Sequence, residues 1–225
     1  MTEPLEFVFF DIGGVMYDDR VYAFALGRAL RESGASFTDA EFEVEYTKVR
    51  AQQSGPFRRR LADRFLGPDA DIARLETLAA RYWAYPAEAL ESDVRACLDA
   101  LRARFRLGVI ANQPSAVRDA LDRDGLTGYF EAWGLSDDLG LHKPDIRLFE
   151  AALDAAGVEG ARAAMVGDRL DYDMRPARQV GMRTVWVLRG EAPDQPTQAQ
   201  LAEVDAAIHG LDELLNLLAR WAETP

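Results

Sequence analysis

The stretch that decides the fold spans residues 5 to 15 and reads Leu5-Glu6-Phe7-Val8-Phe9-Phe10-Asp11-Ile12-Gly13-Gly14-Val15. Its first half is apolar on both alternating faces, which is typical of a strand buried inside a parallel sheet. Asp11 would then lie at the carboxyl end of that strand, where open α/β sheets bind their ligands. Alternatively, Asp11 caps a following helix and the glycines form a turn, and this stretch alone leaves both interpretations open.

Length and composition are those of an ordinary globular protein. The chain has 225 residues, 48% hydrophobic and 28% charged, enough for one or two domains with a sizeable core. A formal net charge of -12 argues against a nucleic-acid or anionic-membrane partner, since both would repel it. The single cysteine, Cys97, excludes an internal disulfide and fits a reducing compartment. Without a spanning apolar run or the basic start of a signal peptide, the sequence predicts a cytoplasmic protein.

The segment after the first strand carries helix signals and no strand signal. Apolar residues at helical spacing predict helices over residues 21–30, 42–49, 57–65 and 72–82. A capping box, Thr38 with Glu41, opens the second of them. We therefore expect an all-helical domain over residues 17–88, inserted into a core domain made of residues 1–16 and 89–225.

From about residue 89 onward, helices and strands alternate. Short apolar runs predict strands over residues 107–111, 132–136, 163–166 and 184–188, each separated from the next by a helical pattern. Strands that alternate with helices require a parallel sheet covered on both faces. The predicted fold class is α/β, with a Rossmann-like, doubly wound parallel sheet.

Polar side chains follow three of these strands where each one ends. Asp11, Asn112-Gln113 and Asp168 come directly after buried strands, and the carboxyl ends of parallel strands share one edge of the sheet. Lys143 precedes a helix that can face the same edge. Carboxylates at one site repel each other unless Mg²⁺ and a lysine offset their charge. Taken singly, however, the lysine could be a solvated surface residue and Asp168 a helix N-cap.

These motifs together resemble those of the haloacid dehalogenase (HAD) superfamily of hydrolases. The matching motifs, in chain order, are Phe9-Phe10-Asp11-Ile12-Gly13-Gly14-Val15, Ile110-Ala111-Asn112-Gln113, Lys143-Pro144-Asp145 and Val166-Gly167-Asp168-Arg169-Leu170-Asp171-Tyr172-Asp173. Each motif is weak alone, but four in order at strand ends are strong together. The helical insert is similar to the helical cap of this superfamily, so the resemblance covers nearly the whole chain.

The resemblance implies a phosphatase that acts on a small phosphorylated metabolite with Mg²⁺ as cofactor. Asp11 would be the nucleophile and form an aspartyl-phosphate, and Lys143 would neutralise the carboxylate and the phosphoryl oxygens. Asp11, the carbonyl group of Gly13 and Asp168 would hold the metal ion. Asp173 or Asp171 would support the metal shell. Whether the protein is a monomer or a homodimer stays open.

The sequence departs from the family pattern at two positions. Family phosphatases usually carry a second aspartate, a general acid and base, where this chain has Gly13. They usually carry Thr or Ser where this chain has Ala111. Asn112 or Gln113 could donate a hydrogen bond to the substrate instead, but a carboxamide cannot transfer the proton. Loss of general acid–base catalysis predicts turnover slower by about 10²–10⁴-fold, unless another group such as Asp18 or Asp19 takes over.

Two other functions fit parts of the pattern. The metal-independent 2-haloacid dehalogenases of the family also lack the second aspartate and carry Asn after strand two, but they do not have the Gly167-Asp168 pair found here. A catalytically impaired HAD fold that binds a metabolite or a protein is the other alternative. The retained nucleophile argues against it, because a binding protein does not need one.

Aromatic and basic residues of the insert receive a structural interpretation. Tyr82, Trp83 and Tyr85 could line the substrate entrance, yet aromatic residues at helical spacing usually pack in a core. Arg58-Arg59-Arg60 could meet a substrate anion, yet a solvated basic helix face is the commoner arrangement.

Overall fold

A computed structural model describes residues 4–223 of the chain. It contains six strands, β1 (Phe7–Phe10), β2 (Arg106–Ala111), β3 (Ala132–Leu135), β4 (Ala163–Gly167), β5 (Arg183–Val187) and β6 (Ala206–Ile208). They form one sheet in the order β3-β2-β1-β4-β5-β6, and all neighbouring pairs are parallel. The predicted α/β fold with a doubly wound parallel sheet is confirmed.

Strand β1 lies in the middle of the sheet, as its apolar sequence predicts. All four of its side chains are fully buried, and it pairs with β2 on one side and β4 on the other. Val8 and Phe10 belong to the hydrophobic cluster on one face of the sheet, whereas Phe7 and Phe9 belong to the cluster on the other. The strand is apolar on both faces, and the polar residue Asp11 follows directly at its carboxyl end.

The described part of the chain contains eleven α-helices. They are α1 (Arg20–Glu32), α2 (Asp39–Gln52), α3 (Phe57–Leu66), α4 (Ile72–Ala79), α5 (Val94–Leu101), α6 (Val117–Arg123), α7 (Ser136–Leu139), α8 (Ile146–Ala156), α9 (Arg175–Gln179), α10 (Gln198–Leu201) and α11 (Leu214–Glu223). Buried residues of α5, α6 and α11 cover one face of the sheet, and those of α8 and α9 cover the other. Cys97 on α5 is buried and free. Among residues 4–223, no helix is long and apolar enough to cross a membrane.

Helices α1 to α4 pack around a hydrophobic cluster of their own, which includes Leu26, Leu61 and Leu75. The capping box predicted at the start of α2 is present: Thr38 accepts a hydrogen bond from the backbone of Glu41, and the Glu41 carboxylate accepts one from the backbone of Thr38. These four helices lie between β1 and β2 in the chain, as expected of the insert. Its limits at residues 17 and 88 stay a prediction.

The insert contacts the loops that follow the carboxyl ends of β4 and β5. The Gln53 side chain, at the end of α2, is buried and accepts a hydrogen bond from the backbone of Leu170 at 2.9 Å. It also donates one to the carbonyl oxygen of Glu191 at 2.7 Å. These bonds hold the insert next to the edge of the sheet at which Asp11 lies.

Strand β6 was not predicted. Only three residues, Ala206 to Ile208, pair with β5, and two of them are alanines that are only partly buried. A run this short has no periodicity to detect. Helix α10 was not predicted either.

Candidate active site

The Asp11 carboxylate lies at the carboxyl end of β1, and two donors hold one of its oxygens. Asp11 Oδ1 accepts a hydrogen bond from the backbone N–H of Ile12 at 2.7 Å and lies 2.9 Å from Nζ of Lys143. Its side chain is 13% exposed, in contrast to the buried residues of β1. The donors orient the carboxylate through Oδ1, which leaves Oδ2 available to a substrate.

Lys143 is almost completely buried and is held by its backbone as well as by its side chain. The Asn112 side-chain amide accepts a hydrogen bond from the Lys143 backbone N–H at 2.7 Å and donates one to the Lys143 carbonyl oxygen at 3.0 Å. Lys143 Nζ donates to Asp173 Oδ1 at 2.6 Å and to the Ile110 carbonyl oxygen at 3.2 Å. The ammonium group therefore joins the ends of strands that are distant in sequence.

Three carboxylates meet at this edge of the sheet. One oxygen from each of Asp11, Asp168 and Asp173 lies within 4.8 Å of the others. Asp168 Oδ2 accepts a hydrogen bond from the backbone N–H of Glu191 at 2.6 Å, and Asp173 Oδ2 accepts one from the backbone N–H of Arg169 at 2.9 Å. Oxygen ligands of this kind are those that Mg²⁺ prefers, so the donor set fits that ion.

The charges of the site support the same conclusion. Burial raises the pKa of the Asp11 carboxyl to about 6, opposed by Lys143 and reinforced by Asp173. Burial, followed by the charges of Asp19, Asp173 and Asp11, raises the pKa of Asp168 well above its ordinary value. Negative charge thus exceeds what Lys143 compensates, and a divalent cation would remove the excess.

Two glycines let the backbone after Asp11 approach these carboxylates. Gly14 has a φ of +67°, and a Cβ atom there would lie 2.1 Å from Asp168 Oδ2. A Cβ atom on Gly13 would lie 2.4 Å from Asp19 Oδ1. Position 14 therefore requires glycine, and the space beside Gly13 already contains another side chain.

A cavity of about 730 Å³ opens between the site and the helical insert. Asp11, Lys143 and Asp168 line it from the sheet, and Tyr22, Arg58 and Glu76 line it from the insert. Such a volume suits a small-molecule ligand. The two sides of the cavity thus combine the acidic cluster with side chains of the insert.

The predicted substrate donors have protein partners. Asn112 and Gln113 both line the cavity, but the Asn112 amide is engaged with the Lys143 backbone, as described above. Gln113 Nε2 donates a hydrogen bond to the Tyr85 hydroxyl at 3.2 Å. Asp171 is not part of the three-carboxylate cluster, because both of its oxygens contact the Arg169 guanidinium, at 2.9 and 2.8 Å.

Several residues of the insert, interpreted above as structural, reach the cavity. Trp83, Tyr85, Arg58 and Arg59 line it. Arg58 forms an ion pair with Glu76, whose Oε1 lies 2.8 Å from Arg58 Nη1.

Sequence reasoning missed Glu191 and attached no firm role to Asp19. Glu191 lines the cavity and forms an ion pair of 2.6 Å with Arg169. It lies four residues beyond the end of β5, so the rule applied to the other strand ends, which takes the residues directly after a strand, does not find it. The position of Asp19 depends on packing against Gly13 and has no local sequence signal.

Comparison with known proteins identifies the family of the chain. Residues 5–181 match the model of the family described as hydrolase, haloacid dehalogenase-like hydrolase. The chain is 36% identical to the phosphoserine phosphatase of Thermus thermophilus over 167 residues, 70% of this chain and 65% of that protein. It is 31% identical to the glyceraldehyde 3-phosphate phosphatase of Methanocaldococcus jannaschii over 115 residues, 51% of this chain and 49% of that protein. The chain thus spans less than two thirds of the length of these relatives.

Solved structures share the fold over nearly their whole length. A predicted phosphoglycolate phosphatase from Haemophilus somnus matches with a TM-score of 0.75 and 18% identity, over 96% of this chain and 99% of that one. The 2-haloacid dehalogenase of Pseudomonas syringae matches with a TM-score of 0.59 and 27% identity, over 96% and 99%. With the family match covering more than half of the sequence, this chain belongs to the haloacid dehalogenase-like hydrolases.

Proposed function

We propose that the protein is a Mg²⁺-dependent phosphatase that hydrolyses a small phosphate monoester through an aspartyl-phosphate on Asp11. The observation that carries this proposal is the Asp11 carboxylate, which faces the cavity with Lys143 Nζ 2.9 Å from one oxygen and the Asp168 carboxylate within 4.8 Å. A nucleophile, a fixed positive charge and a set of metal ligands are the groups that phosphoryl transfer needs.

Asp11 attacks through Oδ2, to which no donor among residues 4–223 forms a hydrogen bond. Since Oδ1 is held by Ile12 and Lys143, Oδ2 forms the bond to phosphorus while the ester P–O bond breaks. Lys143 offsets the charge of the carboxylate and of the phosphoryl oxygens beside it. Water then attacks phosphorus, inorganic phosphate leaves and the Asp11 carboxylate is restored.

The metal ligands in this proposal are the side chains of Asp11 and Asp168 and the carbonyl group of Gly13, with Asp173 in support. When bound, Mg²⁺ neutralises charge on the phosphoryl group and orients it for attack. Asp173 accepts hydrogen bonds from Lys143 and from the Arg169 backbone, so its part is to fix the lysine and the loop that carries Asp168.

The helical insert, residues 17–88, acts in this proposal as a cap domain that selects the substrate. Arg58 and Glu76 offer a positive and a negative group to the part of the substrate distant from phosphorus. Gln113 is the better candidate for a substrate donor than Asn112, whose amide holds Lys143. Relatives named for phosphoserine and glyceraldehyde 3-phosphate support a small phosphorylated metabolite as substrate.

The test is phosphate release from a panel of phosphate monoesters in the presence of Mg²⁺. The panel includes phosphoserine, glyceraldehyde 3-phosphate, phosphoglycolate and a pyrimidine nucleotide, and it is run with the parent, Asp11→Asn and Asp145→Asn. Asp145 caps α8 and does not line the cavity, so Asp145→Asn serves as the matched control. We expect release by the parent and the control, and none by Asp11→Asn or after chelation of the metal.

Two outcomes would contradict the proposal. Release that survives Asp11→Asn would exclude the covalent route. No release from the folded parent, with chloroacetate turned over in the absence of metal, would favour the dehalogenase instead. The acidic cluster argues against that second function, because halide displacement needs no metal site. Affinity for phosphate esters without turnover of either kind would indicate a binding protein.

A further inference from the structure

Gly13 leaves the proposed reaction without an obvious proton donor. The leaving alcohol oxygen needs a proton as the ester bond breaks, and the water of the second step must lose one. The residue two positions after the nucleophile has no side chain in this chain. Another carboxyl in the cavity would have to do this work.

Asp19 occupies the space that a side chain at position 13 would fill. A Cβ atom on Gly13 would lie 2.4 Å from Asp19 Oδ1, 3.2 Å from Asp19 Cγ and 2.8 Å from the Tyr85 hydroxyl. Real Cβ atoms essentially never lie less than 3.0 Å from a non-bonded heavy atom, so the distances to Asp19 Oδ1 and to the Tyr85 hydroxyl are too short for a side chain at position 13. A side chain at position 13 and the observed position of Asp19 are therefore mutually exclusive, and the carboxylate lies beside the backbone that follows Asp11.

The Asp19 side chain does not cap helix α1, although capping is the usual structural role of an aspartate just before a helix. Asp19 is the N-cap residue of α1, yet its carboxylate accepts no hydrogen bond from the backbone of that helix. Asp18 instead accepts bonds from the backbone and the guanidinium of Arg20, at 2.9 and 2.7 Å. Asp19 lines the cavity, and within residues 4–223 no donor forms a hydrogen bond to its carboxylate. A carboxylate held partly buried without a partner costs stability, which a structural role would not explain.

We propose that Asp19 supplies the carboxyl group that position 13 lacks, as the proton donor and acceptor of the reaction. In the first step Asp19 gives its proton to the leaving oxygen as the Asp11–phosphorus bond forms and the ester P–O bond breaks. In the second step it takes a proton from the attacking water, whose oxygen bonds to phosphorus as Asp11 leaves. Asp19 is then protonated again, so the cycle balances. This inference rests on the proposed phosphatase function.

The experiment compares leaving groups. The parent, Asp19→Asn and Asp18→Asn are assayed with an alkyl phosphate, whose leaving group needs a proton, and with p-nitrophenyl phosphate, whose leaving group does not. We expect Asp19→Asn to lose about 10²–10⁴-fold of kcat with the alkyl phosphate and less than about tenfold with the aryl phosphate. Asp18→Asn should match the parent with both. An equal loss with both substrates, or no loss, would overturn the inference while leaving the phosphatase proposal intact.

A second pair of variants tests whether a carboxyl group at position 13 can replace the one at position 19. Gly13→Asp alone should impair the enzyme, because the new side chain meets Asp19. Gly13→Asp combined with Asp19→Gly moves the carboxyl back to position 13 and should recover at least about tenfold of the alkyl-phosphate kcat relative to Asp19→Gly. A folded double variant no better than Asp19→Gly would contradict the inference. Failure of the parent itself to release phosphate would instead end the proposed function, and this inference with it.

Discussion

Replacing Asp11 by asparagine should stabilise the metal-free protein. The pKa of the Asp11 carboxyl rises from 3.8 to about 6 on folding, because burial disfavours its charge more than Lys143 favours it. The fold therefore prefers the neutral form of this side chain. Asparagine is neutral at every pH and has nearly the same shape.

The size of the effect follows from the pKa shift. A rise from 3.8 to about 6 corresponds to about 3 kcal/mol at about 1.4 kcal/mol per pKa unit. The parent holds this contribution in full below pH 3.8 and loses it as the pH rises through about 6. The advantage of Asp11→Asn is therefore near zero at low pH, about half of its final value at about pH 5, and complete above about pH 7. For a chain of this length, about 3 kcal/mol corresponds to a rise in Tm of about 6–12 °C.

The assay is thermal unfolding with a chelator present, at about pH 5 and about pH 8, followed by circular dichroism. Asp145→Asn is the control of opposite sign, since hydrogen bonds from Arg147 lower the pKa of Asp145 to about 2. That variant should be less stable than the parent at both pH values. If Asp11→Asn is as stable as the parent or less stable at about pH 8, the buried charge of Asp11 does not destabilise the fold. Addition of Mg²⁺ should then stabilise the parent and not the variant.

Three further outcomes are expected at the same site. Gly14→Ala should destabilise the fold by about 1–3 kcal/mol and weaken Mg²⁺ binding, because the φ of +67° at this position is unfavourable for alanine and the new Cβ atom would meet Asp168. Denaturant unfolding measures the stability, and calorimetry measures the Mg²⁺ affinity. A variant with both quantities unchanged would contradict the geometry around Gly14. Asn112→Ala removes both hydrogen bonds to the Lys143 backbone and should lower the free energy of unfolding by about 1–3 kcal/mol. It should also lower kcat more than it raises KM. A change in KM alone would instead indicate that Asn112 contacts the substrate. Mg²⁺ affinity should fall about tenfold per pH unit as the pH drops below about 6, because protons compete with the metal ion for Asp11. Calorimetry at several pH values measures this affinity, and an affinity that does not change with pH would exclude the competition.

The part of the fold that could be predicted is the part with a strong local pattern. Phe7 to Phe10 are apolar on both faces, and only the middle of a parallel sheet buries a strand in that way. The position of Asp11 and the meeting of Asp168 with it then follow from topology. In contrast, Ala206 to Ile208 form a strand only because β5 offers them an open edge.

The details of the site depend on contacts between distant residues, and these have no local signal. Asp18 and Asp19 are adjacent and chemically identical, yet one pairs with Arg20 while the other lines the cavity. The amide of Asn112 was expected to face the substrate, but its partners belong to Lys143, which lies 31 residues further along the chain. The position of Asp19 beside Gly13 and the pairing of Asn112 with Lys143 could not be read from the sequence, because each depends on contacts that only the fold creates.

Detection of phosphate on Asp11 during turnover would establish the covalent intermediate. The parent is mixed with a radiolabelled phosphate monoester and Mg²⁺, quenched in acid at short times, and digested for mass spectrometry. We expect label on the peptide that contains Asp11, removable by hydroxylamine as an acyl phosphate should be, and absent from Asp11→Asn. Phosphate release by the parent with no labelled peptide at any quench time, or release by Asp11→Asn at the parental rate, would exclude an aspartyl-phosphate on Asp11.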